Sequence, residues 1–182
     1  MSTKIPQILE ELLHFFPEIS PPITVSDEAA LSFSRHNKPL SASIIDKTFS
    51  NWDTFDEFTE LVPCFRLPLE DPFYAFVYWK GALMSYEYIL ITIDEQGLFI
   101  SKKVIAGTVS NGESVIKSVA VINEENLIYT SVGGLSLTKN TFNPVHSKAY
   151  KFEILPDGQI QSSQEELNTW EQNKEKTPNQ KN

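Results

Sequence analysis

In the second half of the chain, short apolar runs break three times at turn-forming residues and then resume. Ile91–Ile93 and Leu98–Ile100 flank Asp94–Glu95–Gln96–Gly97. Val121–Ile122 and Leu127–Tyr129 flank Asn123–Glu124–Glu125–Asn126, and Ile154–Leu155 and Gln159–Ile160 flank Pro156–Asp157–Gly158. Gly and Asn accept the positive φ of tight turns, and β-branched and aromatic residues favour the flanking strands, so each unit predicts an antiparallel hairpin. From Thr59 onward the pattern predicts strands at Thr59–Leu67, Phe73–Trp79, Tyr86–Ile93, Leu98–Val109, Val115–Ile122, Leu127–Val132, Lys148–Leu155 and Gln159–Ser163, with a further turn at Asn111–Gly112. Connections this short join neighbours antiparallel, because parallel pairs need long crossovers.

The first part of the chain follows a different period. Ile5, Ile8, Leu9, Leu12, Leu13 and Phe16 recur at helical spacing until Pro17, Pro21 and Pro22 stop the pattern. Ile23–Val25 reads as a short extended piece, and Ser41–Phe49 as a second helix with Ile44, Ile45 and Phe49 inward. Phe73–Trp79 and Tyr86–Ile93 are apolar on both alternating faces, which predicts central strands covered on each side, with the first helix as one cover. Gly133–Gly134 reads as a turn or bulge. The fold class expected is α+β and mainly β: one or more N-terminal helices, then a single antiparallel meander of about eight strands, open or curled into a half-barrel. One domain spans 1–163, with a helical and irregular part over 1–50 and the sheet over 59–163; the polar stretch 164–182 reads as a disordered tail.

Fifteen basic against 24 acidic residues leave a formal net charge of −9. Phosphate backbones and anionic lipid surfaces repel such a chain, so nucleic acid and membrane are the disfavoured partners. The longest apolar run, Phe73–Trp79, is too short to span a bilayer as a helix, and Glu10 and Glu11 interrupt the N-terminal apolar stretch where a secretory signal would be continuous. A single Cys64 forms no intrachain disulfide, and the expected location is cytoplasmic.

Three segments stand together in the centre: Glu60–Leu61–Val62–Pro63–Cys64–Phe65, the stretch from Tyr78–Trp79–Lys80–Gly81 to Tyr86–Glu87–Tyr88, and the stretch from Asp94 to Gly107. In these the chain resembles a family of uncharacterised β-rich proteins of Bacteroidetes-type bacteria. The resemblance runs from the Pro21–Pro22 region to the final hairpin. It implies shared ancestry and a single domain, and carries no activity, cofactor or catalytic residue.

Three groups of residues offer chemistry. Cys64 is the one thiol, and Arg66 shares its face in an alternating strand, where a cation would lower a thiol pKa; the bland alternative is a small core residue. Asp53, Asp56, Glu57 and Glu60 follow helical spacing, so a helix would gather four carboxylates on one face to meet a basic partner, the alternative being a solvated face. Tyr78, Trp79 and Tyr86, with Arg66 and Lys80 as the nearest cations, would line a site for an anionic ligand, or else build the core of a twisted sheet. The sequence contains no phosphate-cradling Gly loop, nucleophile elbow or Cys/His metal spacing, so no metal or cofactor is expected.

The function these features favour is that of a non-enzymatic protein that binds another protein, immunity-like or chaperone-like, with a basic partner. The alternatives are a small-molecule carrier built on a half-closed sheet, and a hydrolase or thiol enzyme pairing Cys64 with a distant histidine among His14, His36 and His146.

Overall fold

The structure is a computed structural model that describes residues 6–139 and 141–165. It is mainly β, with three helices at the N-terminal end. In chain order the elements are helix α1 (Gln7–Phe15), strand β1 (Ile23–Val25), α2 (Ala29–His36), α3 (Ala42–Lys47), a 3₁₀ turn (Phe49–Asn51), and strands β2 (Glu60–Arg66), β3 (Phe73–Ala82), β4 (Ser85–Asp94), β5 (Phe99–Ser110), β6 (Ser114–Ile122), β7 (Ile128–Ser136), β8 (Thr141–Ile154) and β9 (Ile160–Glu165). The strands form one antiparallel sheet in the order β2 to β9, with β1 attached to β6. The meander expected from the turn residues is the one observed. Gly97, Asn126 and Gly158 all sit at positive φ in its turns.

The sheet is not closed into a barrel, but it does fold over. β5 and β6 pair only from Gly107 to Ser110 and from Val115 to Ser118, so their other ends diverge, and β1 takes the edge of β6 that β5 has left. Gly107 sits at this fork with φ 146, and a Cβ there would lie 2.1 Å from the Tyr86 carbonyl oxygen, so no other residue fits the bend. Folding over brings the inner rows of both halves into one core: Phe65, Val77, Tyr88, Leu90 and Ile105 against Ala120, Ile122, Ile128, Phe152 and Ile160. Side chains bridge the halves. Thr130 Oγ1 donates to the Ile105 carbonyl at 2.6 Å, and Thr92 Oγ1 donates to the Gly158 carbonyl at 2.6 Å.

The opposite face of β3 and β4 is covered by α1, α3 and the 3₁₀ turn. Leu9, Leu12, Phe16, Ile44 and Phe49 pack there on Phe76, Tyr78, Ile89, Ile91 and Ile93. The expected burial of the α1 stripe therefore holds for Leu9, Leu12 and Phe16; Ile5 lies outside the described residues. Strands β3 and β4 are covered on both faces, as their unbroken apolar sequences require.

Helix α2, which no expectation named, carries Ala29, Ala30, Leu31 and Phe33 and buries none of them fully. Three expectations need correction. Strand β8 begins at Thr141 rather than Lys148, because the register shift at Val132/Gly134 lets β7 continue to Ser136 and keep a partner. Gln164 and Glu165 belong to β9 rather than to a tail, and the rest of that stretch lies outside the described residues. Asp53–Glu60 is not a helix: Asp53 Oδ1 accepts from the Thr54 N–H, and Asp56 Oδ1 accepts from the Phe58 N–H and the Thr59 hydroxyl. These short side chains satisfy local donors themselves and so compete with helical bonding. No helix among the described residues is long and apolar enough to cross a membrane.

Candidate binding surface

The residues singled out from the sequence do not meet at one place. Alternation along β3 sends Tyr78 and Lys80 to the helix-covered face, while Trp79 and the β4 residue Tyr86 occupy the other face. Trp79 and Tyr86 stack there, ring centroids 5.7 Å apart, over Gly81, where a Cβ would lie 2.5 Å from the indole. Arg66 serves a third location. Its Nη1 donates to the carbonyls of Leu13 and Phe16 at the end of α1, and its Nη2 pairs with Glu18 at 3.2 Å. A joint ligand site of Arg66, Tyr78, Trp79, Lys80 and Tyr86 is therefore not assembled.

Asp53 is divided from the other acids as well. Its Oδ1 lies 3.1 Å from both Lys80 Nζ and Lys102 Nζ, and its Oδ2 accepts from the Tyr78 hydroxyl at 3.2 Å. Its side chain is only 11% exposed. Each lysine also donates to a main-chain carbonyl, Lys80 to that of Thr54 and Lys102 to that of Trp52. Burial pushes the Asp53 carboxyl upward, but the Thr54 N–H and the two ammonium groups outweigh it, and the net shift is below the ordinary value. Tyr78 moves the other way: burial, then the adjacent carboxylate, hold its phenol protonated. Through these bonds the cluster clamps the Trp52–Thr54 segment onto the sheet. Asp56, Glu57 and Phe58 remain exposed on the loop that follows, and Glu60 is exposed at the start of β2.

Cys64 is fully buried. It is the extra residue of a bulge between Pro63 and Phe65, which places Cys64 and Phe65 together in the inner core and turns Arg66 to the other face. Sequence alternation predicted a shared face, and the bulge removes it. Burial raises the thiol pKa strongly, against a weaker opposing backbone hydrogen bond. His14 bonds Lys38 and His36 bonds the Ser32 carbonyl, so neither is engaged with the thiol; the His146 side chain lies outside those described. The described residues contain no group of three or more His, Cys, Asp or Glu that would hold a metal.

Two of the concave features are formed by strands β5 to β9. A cleft of about 270 Å³ opens where β5 parts from the inner face of the second half, lined by Val104, Ile105, Val132, Tyr150 and Phe152, with the Thr130 and Ser118 hydroxyls already spent on carbonyls. A shallow apolar groove of about 610 Å³ lies on the outer face of β6, β7 and β8. In register, that face carries Val115 opposite Leu135, Lys117 opposite Gly133, Val119 opposite Ser131 and Val121 opposite Tyr129. Gly133 and Gly134 keep the floor low between the Val115, Val119 and Leu135 walls. Val119, Val121, Tyr129 and Leu135 are between 40% and 43% exposed, and among the described residues no helix covers them.

The sequence reading missed this surface, although a signal was present. Val115–Ile122 carries apolar residues on both alternating rows, Val115, Val119 and Val121 with Lys117 on one and Ile116, Ala120 and Ile122 with Ser118 on the other. That is the pattern which placed β3 and β4 between two covers, yet β6 has only one. No protein-family model, curated protein or solved structure matches the chain.

Proposed function

We propose that this is a non-enzymatic protein that binds another polypeptide, and that it does so through the outer face of β6, β7 and β8. The observation that carries the reading is the apolar outer face formed by Val115, Val119 and Val121 of β6 with Tyr129 and Leu135 of β7, interrupted by Lys117 and Ser131 and left open on strands whose other face meets the core. Contiguous exposed apolar patches mark interaction sites on soluble domains, and burying such a row against a partner removes it from water. The partner would present a complementary apolar ridge to the Gly133–Gly134 floor. A basic protein fits the net charge of −9, which accelerates encounter over the whole surface, with Asp56 and Glu57 contributing from their exposed loop and Glu60 from the start of β2.

A photo-crosslinking residue at Val119 tests the reading in cells that make the protein. Expected is one dominant protein adduct that disappears when Leu135→Glu is added, with the fold intact by circular dichroism. Cross-links spread over many proteins, or unaffected by Leu135→Glu, would remove the outer face as a binding site.

A further inference from the structure

We infer that β9 is a pairing edge for a second copy of this chain, forming an antiparallel two-fold β9–β9 ladder; the inference does not depend on the outer-face reading. The two ends of the sheet differ in how their main-chain groups are used. At the β2 end, Pro63 has no N–H, and the Asn37 amide donates at 2.7 Å to the carbonyls of both Pro63 and Cys64. The Arg66 N–H is taken by the Pro17 carbonyl, and the Arg66 carbonyl by the Ile19 N–H. Such covering is how natural sheets blunt an edge.

The β9 end has no equivalent among the described residues. The Leu155 N–H bonds the Gln159 carbonyl at 2.8 Å, and the register from there is regular. Alternation then puts the bonded pairs at Glu153–Gln161, Lys151–Ser163 and Ala149–Glu165, so the main-chain groups of Ile160, Ser162 and Gln164 point away from β8. The Ile160 N–H does so, reaching Ser101 Oγ on β5 at 3.2 Å. The N–H and C=O groups of Ser162 and Gln164 meet nothing among the described residues, and Gln161–Glu165 is exposed throughout. No proline, lysine or bulge interrupts the strand.

The sequence Gln161–Ser162–Ser163–Gln164–Glu165 complements itself in one register. A two-fold axis through Ser163 sets Ser162 against Gln164 of the second copy and the reverse, which uses the outward groups of both residues for four main-chain hydrogen bonds. Ser163 then faces its own equivalent, and Gln161 faces Glu165 of the second copy. The single charge in the strand thus meets an amide donor and not another carboxylate, which matters between molecules carrying −9 each. An axis through Ser162 would need the Ile160 N–H, which Ser101 already holds. Charged foreign peptides gain little from a strand that is neutral from Ile160 to Gln164, so a second copy is the occupant that fits.

Sedimentation velocity of the full chain over a wide concentration range tests this. Expected is a monomer–dimer equilibrium that Ser162→Pro weakens at least about tenfold, because it removes an outward N–H and leaves the β8 ladder intact. Two further variants keep the test valid if the proline variant does not fold. Gln161→Lys tightens the dimer severalfold by meeting Glu165, and Gln161→Glu loosens it severalfold, both effects shrinking with salt. A monomer at all concentrations up to the millimolar range, or a dimer indifferent to all three changes, would overturn the inference. So would a dimer that forms only after removal of residues 166–182, which would assign the edge to the chain's own continuation. Dissociation by Val119→Glu with no response to Ser162→Pro would place self-association on the outer face instead.

Discussion

Asp53 holds two ammonium groups and a phenol within 3.2 Å while its side chain is almost wholly covered. Removing its charge leaves Lys80 and Lys102 partly covered without a counter-ion, at 14% and 30% exposure. Asp53→Asn is expected to cost on the order of 2 kcal/mol at neutral pH, between the exposed and buried ion-pair cases. The carboxyl titrates below its ordinary value in the folded state, so its stabilisation is complete above the unfolded value and fades as pH falls through the folded one. Chemical denaturation from pH 7 down to pH 2 should therefore show the gap between wild type and Asp53→Asn narrowing below about pH 4. Tyr78→Phe removes one donor from the same carboxylate and is expected to cost about 1–2 kcal/mol in that assay. Cys64 should resist alkylation at pH 8 in the native protein and react fully in denaturant, since the thiolate form is suppressed and the sulfur is covered. The apolar setting of Cys64 was readable from its neighbours Pro63 and Phe65, whereas the setting of Asp53 was not. Asp53 looked like one member of an acidic row, and only the turn that follows it points its carboxylate at lysines on β3 and β5.

At the scale of elements, legibility followed the strength of the local code. Hairpins announced by Gly97, Gly112, Asn126 and Gly158 are where the sequence puts them, because a positive-φ residue between β-branched runs permits few alternatives. Helix α1 was equally legible from its apolar stripe. It is nine residues long, too short to persist alone, and its stability comes from docking Leu9, Leu12 and Phe16 on β3 and β4. Leu12→Ala is expected to lower stability by about 2–5 kcal/mol, read from the midpoint of urea unfolding. The bulge at Cys64 and the short α2 were not legible, since neither depends on a repeating pattern. One arises from Pro63 and the capping amide of Asn37, the other from packing Phe33 against Phe65.

For the whole molecule, a local code does not say where a meander bends. The fork at Gly107 turns nine strands into two facing halves, and this decides which apolar rows become core and which stay outside. Both rows of β6 look equally suited to burial in the sequence, so the open outer face could not be separated from the inner one without the three-dimensional path.

The attachment of β1 to β6 has a consequence for how the chain is made. Every other neighbouring pair of strands is also consecutive in sequence, but Ile23 pairs with Ile122. On a ribosome β1 emerges well before β6 and has no strand partner for the time needed to add roughly a hundred residues, about 5–20 s at about 5–20 residues per second. Throughout that interval Ile23 and Val25, both core residues of the finished protein, stand in water, and α1 waits in the same way for β3 and β4. The segment that carries α1 and β1 is thus synthesised well before the strands on which it docks.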